Sequence, residues 1–370
     1  MGGNQELQMV ALPKRSVIEK QVTAYRKMIT VHPKGHRAFQ QHYHQARRLY
    51  KMLFRPMSQY LVRGHRLIIV PDGILYYLPF ETLVKTVARS SDQAAAMDLR
   101  VRYLVEDHSI TYAPSAAVLG DLLAKRKESV RKLGGRKREL LAYGDPVFSL
   151  KQRTARARTG PEESKLGEIV RGVYEGRGIK FPPLPSTRAE VEGITRLYPP
   201  TKSKAYLGSK ATEASVKTEK LSQYKRLHFA THAIIDEAVP VRSGVVLSLV
   251  DTGDEDGILQ MREIFNLELE AELVVLSACQ TALGKMVRGE GIVGLTRAFM
   301  YAGAPSLAVS LWPVNDFSTA EFMKMFYQKM KAGQGNGDAL RAAKLEMIHS
   351  ESPAYRHPYF WAAFVLVGAM

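Results

Sequence analysis

A single cysteine, Cys279, stands among 370 residues, so an internal disulfide framework is excluded and a reducing, cytoplasmic setting fits. Long hydrophobic runs are also missing. The longest apolar stretches, such as Leu273 to Leu276 and Phe364 to Val367, fall far short of the ~18 residues that a membrane span requires. The opening Met-Gly-Gly-Asn-Gln-Glu has neither the basic start nor the apolar core of a secretory signal. No segment of helical-hairpin length recurs along the chain. A soluble protein with no membrane partner is the expectation.

Negative charge is scarce: 36 Asp and Glu face 53 Lys and Arg, a net +17. Such an excess raises the question of nucleic acid or an acidic partner. Much of it lies in Lys125 to Arg138 and Lys151 to Arg158, which read as basic surface loops without the interleaved aromatics of a nucleic-acid groove. Direct nucleic-acid binding is therefore not expected. Hydrophobic residues at 45% and charged residues at 24% describe an ordinary globular chain, long enough for one large or two modest domains.

From Val17 to Leu61 the chain is polar, with Tyr43, Ala46, Leu49, Tyr50 and Leu53 at helical intervals, and Pro33-Lys-Gly35 breaks this piece into a helical hairpin. At Leu67 the texture changes. Leu67 to Val70, Leu140 to Tyr143, Arg226 to Phe229, Leu273 to Leu276 and Leu307 to Leu311 are short apolar runs separated mostly by helical segments, the pattern of a largely parallel α/β sheet. Between Leu150 and Pro185 no period holds, which predicts a long exposed loop. Thr187-Arg-Ala-Glu190 then matches a capping box at a helix start, a structural motif to which no chemistry is assigned.

Two strand ends carry the chemistry. Leu273 to Leu276 runs into Ser277-Ala-Cys279-Gln-Thr281, where small residues leave room beside the thiol. Leu227-His-Phe-Ala-Thr-His232-Ala runs out in the same way at Ala230. About 47 residues separate His232 from Cys279, ample for the crossover between parallel neighbours, so both fall on one carboxyl edge of the sheet, where open α/β sheets bind ligands. A thiol is mostly protonated at neutral pH, and a neighbouring imidazole both activates it and returns the proton to a leaving amine. The N–H groups of Cys279 and Ala233 are candidate oxyanion donors. Taken alone, a lone cysteine is more often a buried apolar residue and a turn histidine more often an ordering one, the role given to His228.

Other motifs carry less. Thr252 to Glu263 nearly matches a calcium loop but lacks the first ligand, and its flank Val245 to Val250 reads as a strand, so a hairpin turn is the better account. Gly289 to Gly294 lacks the Lys-Ser/Thr that reaches phosphates, and its glycines read as freedom in the loop after Cys279. His32, His36, His42 and His44 straddle the Pro33 break and do not converge. No metal and no cofactor is expected.

Taken together, His-Phe-Ala-Thr-His-Ala233, Leu-Ser-Ala-Cys-Gln-Thr281 and Ser-Leu-Trp-Pro-Val314 resemble the CHAT domain, a caspase-like domain often attached to tetratricopeptide repeats. The resemblance extends to Ile-Ile-Val-Pro-Asp-Gly73, Leu-Pro-Phe80, Gly144-Asp-Pro146, Leu184-Pro-Ser-Thr187 and His357-Pro-Tyr-Phe-Trp-Ala362. It implies an α/β caspase-like three-layer αβα sandwich with a mostly parallel sheet. It also implies a cysteine peptidase of the caspase, separase and gingipain clan with His232 and Cys279 as its dyad. The division it implies is a helical segment over 1–64 and the CHAT domain over 65–370, with a pseudo-caspase half at 65–138 and a catalytic half at 139–370. By position, Asp145, Trp312, Asn315 and Asp316 should line the substrate crevice, and acidic groups there would favour a basic residue before the cut bond. Ser318-Thr-Ala-Glu321 offers the alternative that Asp316 merely introduces a capped helix.

A protein substrate and a regulatory or sensor protein are the implied partners, with bacterial defence as the context by family analogy. Lys151 to Arg158 is the place where self-processing could fall. The tetratricopeptide array of the family is not recognisable ahead of the domain, as in a shorter relative or a piece of a longer chain. A caspase-fold adaptor without catalysis is the competing class, and the retention of both dyad residues argues against it.

Overall fold

The structure, a computed structural model, describes residues 7–33, 36–89, 99–132, 138–149, 180–236, 239–249, 254–277, 279–283, 290–313 and 316–369, with 172 and 176. Helices α1 (Arg15–Ile29) and α2 (His36–Leu53) come first, with the Pro33 break between them as expected. Next are β1 (Leu67–Ile69), β2 (Val84–Arg89), β3 (Leu99–Tyr103), β4 (Ile110–Tyr112) and α3 (Ala116–Lys132). The middle holds β5 (Arg138–Gly144), α4 (Ser186–Thr195), β6 (Ser203–Leu207), α5 (Glu213–Thr218), β7 (Tyr224–Ala230), β8 (His232–Asp236), β9 (Gly244–Val246), β10 (Ile258–Gln260) and α6 (Met261–Ile264). Then follow β11 (Leu273–Leu276), β12 (Cys279–Leu283), α7 (Glu290–Tyr301), β13 (Ser306–Ser310), α8 (Asp316–Lys331), α9 (Asn336–Ile348), α10 (Pro358–Trp361) and β14 (Phe364–Gly368).

Eight strands form one sheet in the order β1-β4-β14-β13-β11-β7-β5-β6. Every neighbouring pair is parallel except β13 with β14. All five apolar runs read from the sequence are strands of this sheet. Alternation along β7 separates the layers. His228 faces Glu190 of α4 and Tyr327 of α8, whereas Phe229 faces Phe299 of α7 on the other side and stacks on Tyr143 of β5. The fold is the expected αβα sandwich. A second, four-stranded sheet, β10-β9-β8-β12, stands beside it and supplies the site. Gly303 closes α7 at φ +115, where an added Cβ would come within 1.8 Å of the Leu269 carbonyl.

Three local expectations need correction. Lys125 to Lys132 belongs to α3 rather than to a loop; residues 133–137 and Lys151 to Arg158 lie outside the described residues. The capping boxes fail as well. α4 begins at Ser186 with no side-chain cap, so Thr187 and Glu190 are free for other bonds, and α8 begins at Asp316, which puts Ser318 inside the helix. Finally, the tail of the segment read as exposed loop is buried: Phe181 and Leu184 join Phe148, Ile234, Val246, Leu249 and Ile258 in a small separate core under β8.

The helical hairpin meets the C-terminal motif through histidines. The His42 ring lies 4.6 Å from that of His357, His42 Nε2 bonds the Tyr103 hydroxyl, and His32 packs edge-on to Tyr359 and Phe360. His357 Nδ1 accepts the N–H of Tyr359 and caps α10. Burial first, and the neighbouring His32 second, push the His357 imidazole down to about 3. Below the unfolded value of about 6.5 the unfolded chain therefore binds a proton that the fold refuses, and stability falls as pH drops, by about 1.4 kcal/mol per unit. Between pH 6.5 and 5, wild type should lose about 2 kcal/mol more than His357→Asn, which keeps a capping acceptor without titrating. Urea denaturation at the two pH values measures this; equal losses in both proteins would contradict it.

Candidate active site

The main sheet sets β7 and β11 side by side, with Phe229 in register with Leu276. Each strand then breaks and re-forms as a strand of the small sheet: β7 continues into β8 and β11 into β12. The ladder between β8 and β12 is parallel and pairs Cys279 with His232. Register partners on adjacent strands stand about 5 Å apart along the hydrogen-bonding direction. The two candidate residues are thus neighbours across the sheet, as their positions at two strand ends predict.

His232 is 3% exposed. Its ring is flanked by Phe148, 4.9 Å between centroids, and by Phe181, 5.8 Å away. Nε2 donates to the carbonyl of Pro182 at 2.8 Å, which fixes the proton on that nitrogen, while Nδ1 has no hydrogen-bond partner among the described residues. Burial lowers the imidazole pKa, with the Pro182 carbonyl opposing it more weakly, so the neutral ring is favoured. A neutral, oriented imidazole with one bare nitrogen can take a proton from a neighbouring thiol. Beneath it, the Thr231 hydroxyl donates to the Val246 carbonyl and ties β8 to β9.

The Pro182 carbonyl was missed in the sequence because a backbone acceptor has no side-chain signature. The remaining candidates fare differently. Ala233 pairs with Val245 of β9 on one side and Gln280 of β12 on the other, so its amide faces a strand neighbour and not an open crevice. Asp145 sits at the end of β5 in the left-handed region, φ 51, and is 5% exposed; its carboxylate accepts from Arg188 Nε at 2.8 Å. Arg188 already balances the charge that a basic substrate residue was expected to meet. Trp312 is 1% exposed and donates its indole N–H to the Tyr359 carbonyl, which makes it a packing residue. Asn315 lies outside the described residues, and Asp316 opens α8.

His228, four residues earlier on β7, is satisfied at both nitrogens, donating to Glu190 at 2.8 Å and bonding the Tyr327 hydroxyl at 3.2 Å. It is the ordering histidine expected. Of the stretch that resembled a calcium loop, the described residues 254–263 lead through β10 into α6, and Lys217 Nζ of α5 sits between Glu255 and Glu263 at 2.5 and 2.9 Å, filling with its own ammonium the place where those carboxylates converge.

The structure thus sets a strand-end histidine in register with a strand-end cysteine beside an αβα sandwich. The chain belongs to the CHAT domain family, whose profile matches residues 44–369. It is 27% identical over 365 residues to tetratricopeptide repeat protein 28 of Mus musculus and 27% identical over 368 residues to that of Homo sapiens. Each alignment covers 87% of this chain but 13% of the relative, so the chain spans about an eighth of the length of the curated proteins it matches. Among solved structures, separase in the Saccharomyces cerevisiae separase–securin complex is similar at 16% identity, with a TM-score of 0.40 over 80% of this chain and 15% of that one.

Proposed function

We propose that this chain is a cysteine endopeptidase in which Cys279 is the nucleophile and His232 the proton carrier. The observation that supports it most is the register of Cys279 with His232, joined to a Pro182 bond that occupies Nε2, while Nδ1 has no hydrogen-bond partner among the described residues. In this reading Nδ1 takes the thiol proton as Sγ bonds to the scissile carbonyl carbon. The tetrahedral oxyanion is met by the amide of Cys279, and Nδ1–H then passes its proton to the departing amine, leaving a thioester. Water, deprotonated by the same nitrogen, attacks the thioester; the acid product leaves and the proton returns to sulfur. A basic preference through Asp145 forms no part of the proposal, since Arg188 holds that carboxylate.

The expected substrate is a single protein partner cut once, as a regulatory step in a defence or signalling response, with a separate protein controlling access. The test is mass-resolved cleavage of a diverse peptide library beside labelling with a thiol-directed acyl probe. Cuts by wild type that vanish in Cys279→Ala, with the probe on Cys279, support the reading. Neither cuts nor labelling in the folded wild type would overturn it in favour of a docking module.

A further inference from the structure

Two stretches of chain hold the imidazole. One leaves β5 through Asp145 and delivers Phe148 to one side of the ring; the other delivers Phe181 and the Pro182 carbonyl. They are far apart in sequence, and one hydroxyl bonds to both. Thr187 Oγ1 accepts the N–H of Asp145 at 2.9 Å and donates to the carbonyl of Leu184 at 2.6 Å. Both capacities of a hydroxyl are thereby used on backbone groups that are buried.

The surroundings are built for this contact. Gly144 has no Cβ, and one placed there would lie 2.7 Å from Val191 Cγ2 and 3.0 Å from the Thr187 carbonyl, so the missing side chain is what lets the start of α4 approach the end of β5. Asp145 is the described non-glycine residue with positive φ, and its carboxylate is held by Arg188, the residue after Thr187. The turn is therefore fastened by two successive side chains of α4, one on its amide and one on its carboxylate. Beyond it, Val147 exchanges bonds with Ser248 Oγ and the Leu249 amide, which leaves Phe148 little freedom.

We propose that Thr187 is a positioning residue for His232: its hydroxyl clips the Asp145–Phe148 turn to the Phe181–Leu184 segment and so keeps the Pro182 carbonyl where it selects the Nε2–H form of the ring. The inference rests on the peptidase reading, but its first consequence, the tautomer, exists without any substrate. Sequence alone had assigned this residue to a helix cap, a role in which the hydroxyl would serve α4's own amides.

The test compares the 370-residue wild type with Thr187→Val, Thr187→Ala and Thr187→Ser. The valine keeps the shape and loses both bonds; the serine keeps the hydroxyl. Histidine 15N correlation spectra, with the His232 signal assigned by its absence in His232→Ala, report which ring nitrogen carries the proton. Wild type and the serine variant should show Nε2–H alone and the valine variant a mixture of tautomers. In the same proteins kcat on a cleaved peptide should fall on the order of 10²-fold for valine with KM little changed, and recover with serine. A valine variant with the wild-type tautomer overturns the proposal. So does loss of the fold in both Thr187→Val and Thr187→Ala, which would make Thr187 a residue of the fold alone. A wild type with the expected spectra but neither cuts nor probe labelling would instead sink the peptidase reading and leave the clip standing.

Discussion

His232→Ala should lower kcat/KM on a cleaved peptide by about 10⁴-fold, the scale on which loss of a triad-type base acts in hydrolases that share this logic. Alanine removes both jobs that the proposed mechanism gives the ring, accepting the thiol proton and returning it to the amine. In the proposed mechanism the ring acts on the reacting atoms and not on the distal substrate, so the loss should fall on kcat. The wild-type pH profile carries a second part of the same prediction. Burial favours the neutral ring, so its pKa lies below the ordinary 6.5, and the Pro182 carbonyl recovers only part of the shift. The acid limb of the activity profile should therefore have its midpoint below pH 6.5, as Nδ1 fills with a proton. Steady-state kinetics from pH 5 to 8 check both. A rate unaltered by the alanine, or an acid limb well above pH 6.5, would count against His232 as the base.

The second large effect concerns the ion pair that fastens α9 to the segment after β1. Lys344 Nζ lies 2.6 Å from Glu81 Oε1, with the two side chains 1% and 2% exposed. The other carboxylate oxygen accepts the Tyr112 hydroxyl at 2.5 Å, and Tyr112 in turn accepts the N–H of Phe80. Burial pushes the Lys344 ammonium down, and the carboxylate opposes that shift, so the cation depends on its partner. Glu81→Gln leaves a buried charge with no counter-ion and should cost about 3 to 5 kcal/mol. Replacing both, Lys344→Met with Glu81→Gln, should return much of it, because the uncompensated charge is gone. Urea midpoints of the three proteins measure the difference. A single variant within about 1 kcal/mol of wild type would show that water reaches this pair.

How much of this was legible beforehand differs by residue. Four of the five strands read from the sequence, β5, β7, β11 and β13, lie inside the sheet and were readable because strands buried on both faces are continuous apolar runs bounded by turns, whereas β1 is a half-exposed edge strand marked by the turn that follows it. β6 was not: Ser203-Lys-Ala-Tyr-Leu207 is an edge strand, half exposed, and its Lys204 is engaged by Glu219. β14 was visible as an apolar run, but nothing local says that Phe364 to Gly368 returns against β13 in the opposite sense. The neighbourhood of His232 and Cys279 followed from strand ends and crossover length. What surrounds His232 did not, since Phe148, Phe181 and the Pro182 carbonyl reach it through backbone groups and tertiary contacts that leave no periodic trace. The same limit undid the crevice residues: being near a strand end does not say whether a side chain is open, like a pocket wall, or spent, like Asp145 on Arg188 and Trp312 in the core.

The place of β14 between β4 and β13 has a consequence for biosynthesis. About 250 residues lie between Tyr112 and Phe364, so at ~5–20 residues per second the ribosome delivers β1 and β4 on the order of ten seconds to a minute before the strand that joins them to the rest. Until then the sheet is in two unjoined parts, and Tyr112 and Ile110, buried in the finished protein, have no β14 to cover them. For that interval the nascent chain presents an unpaired strand edge, and loss of the last strand removes the element that pairs β4 with β13 across this seam.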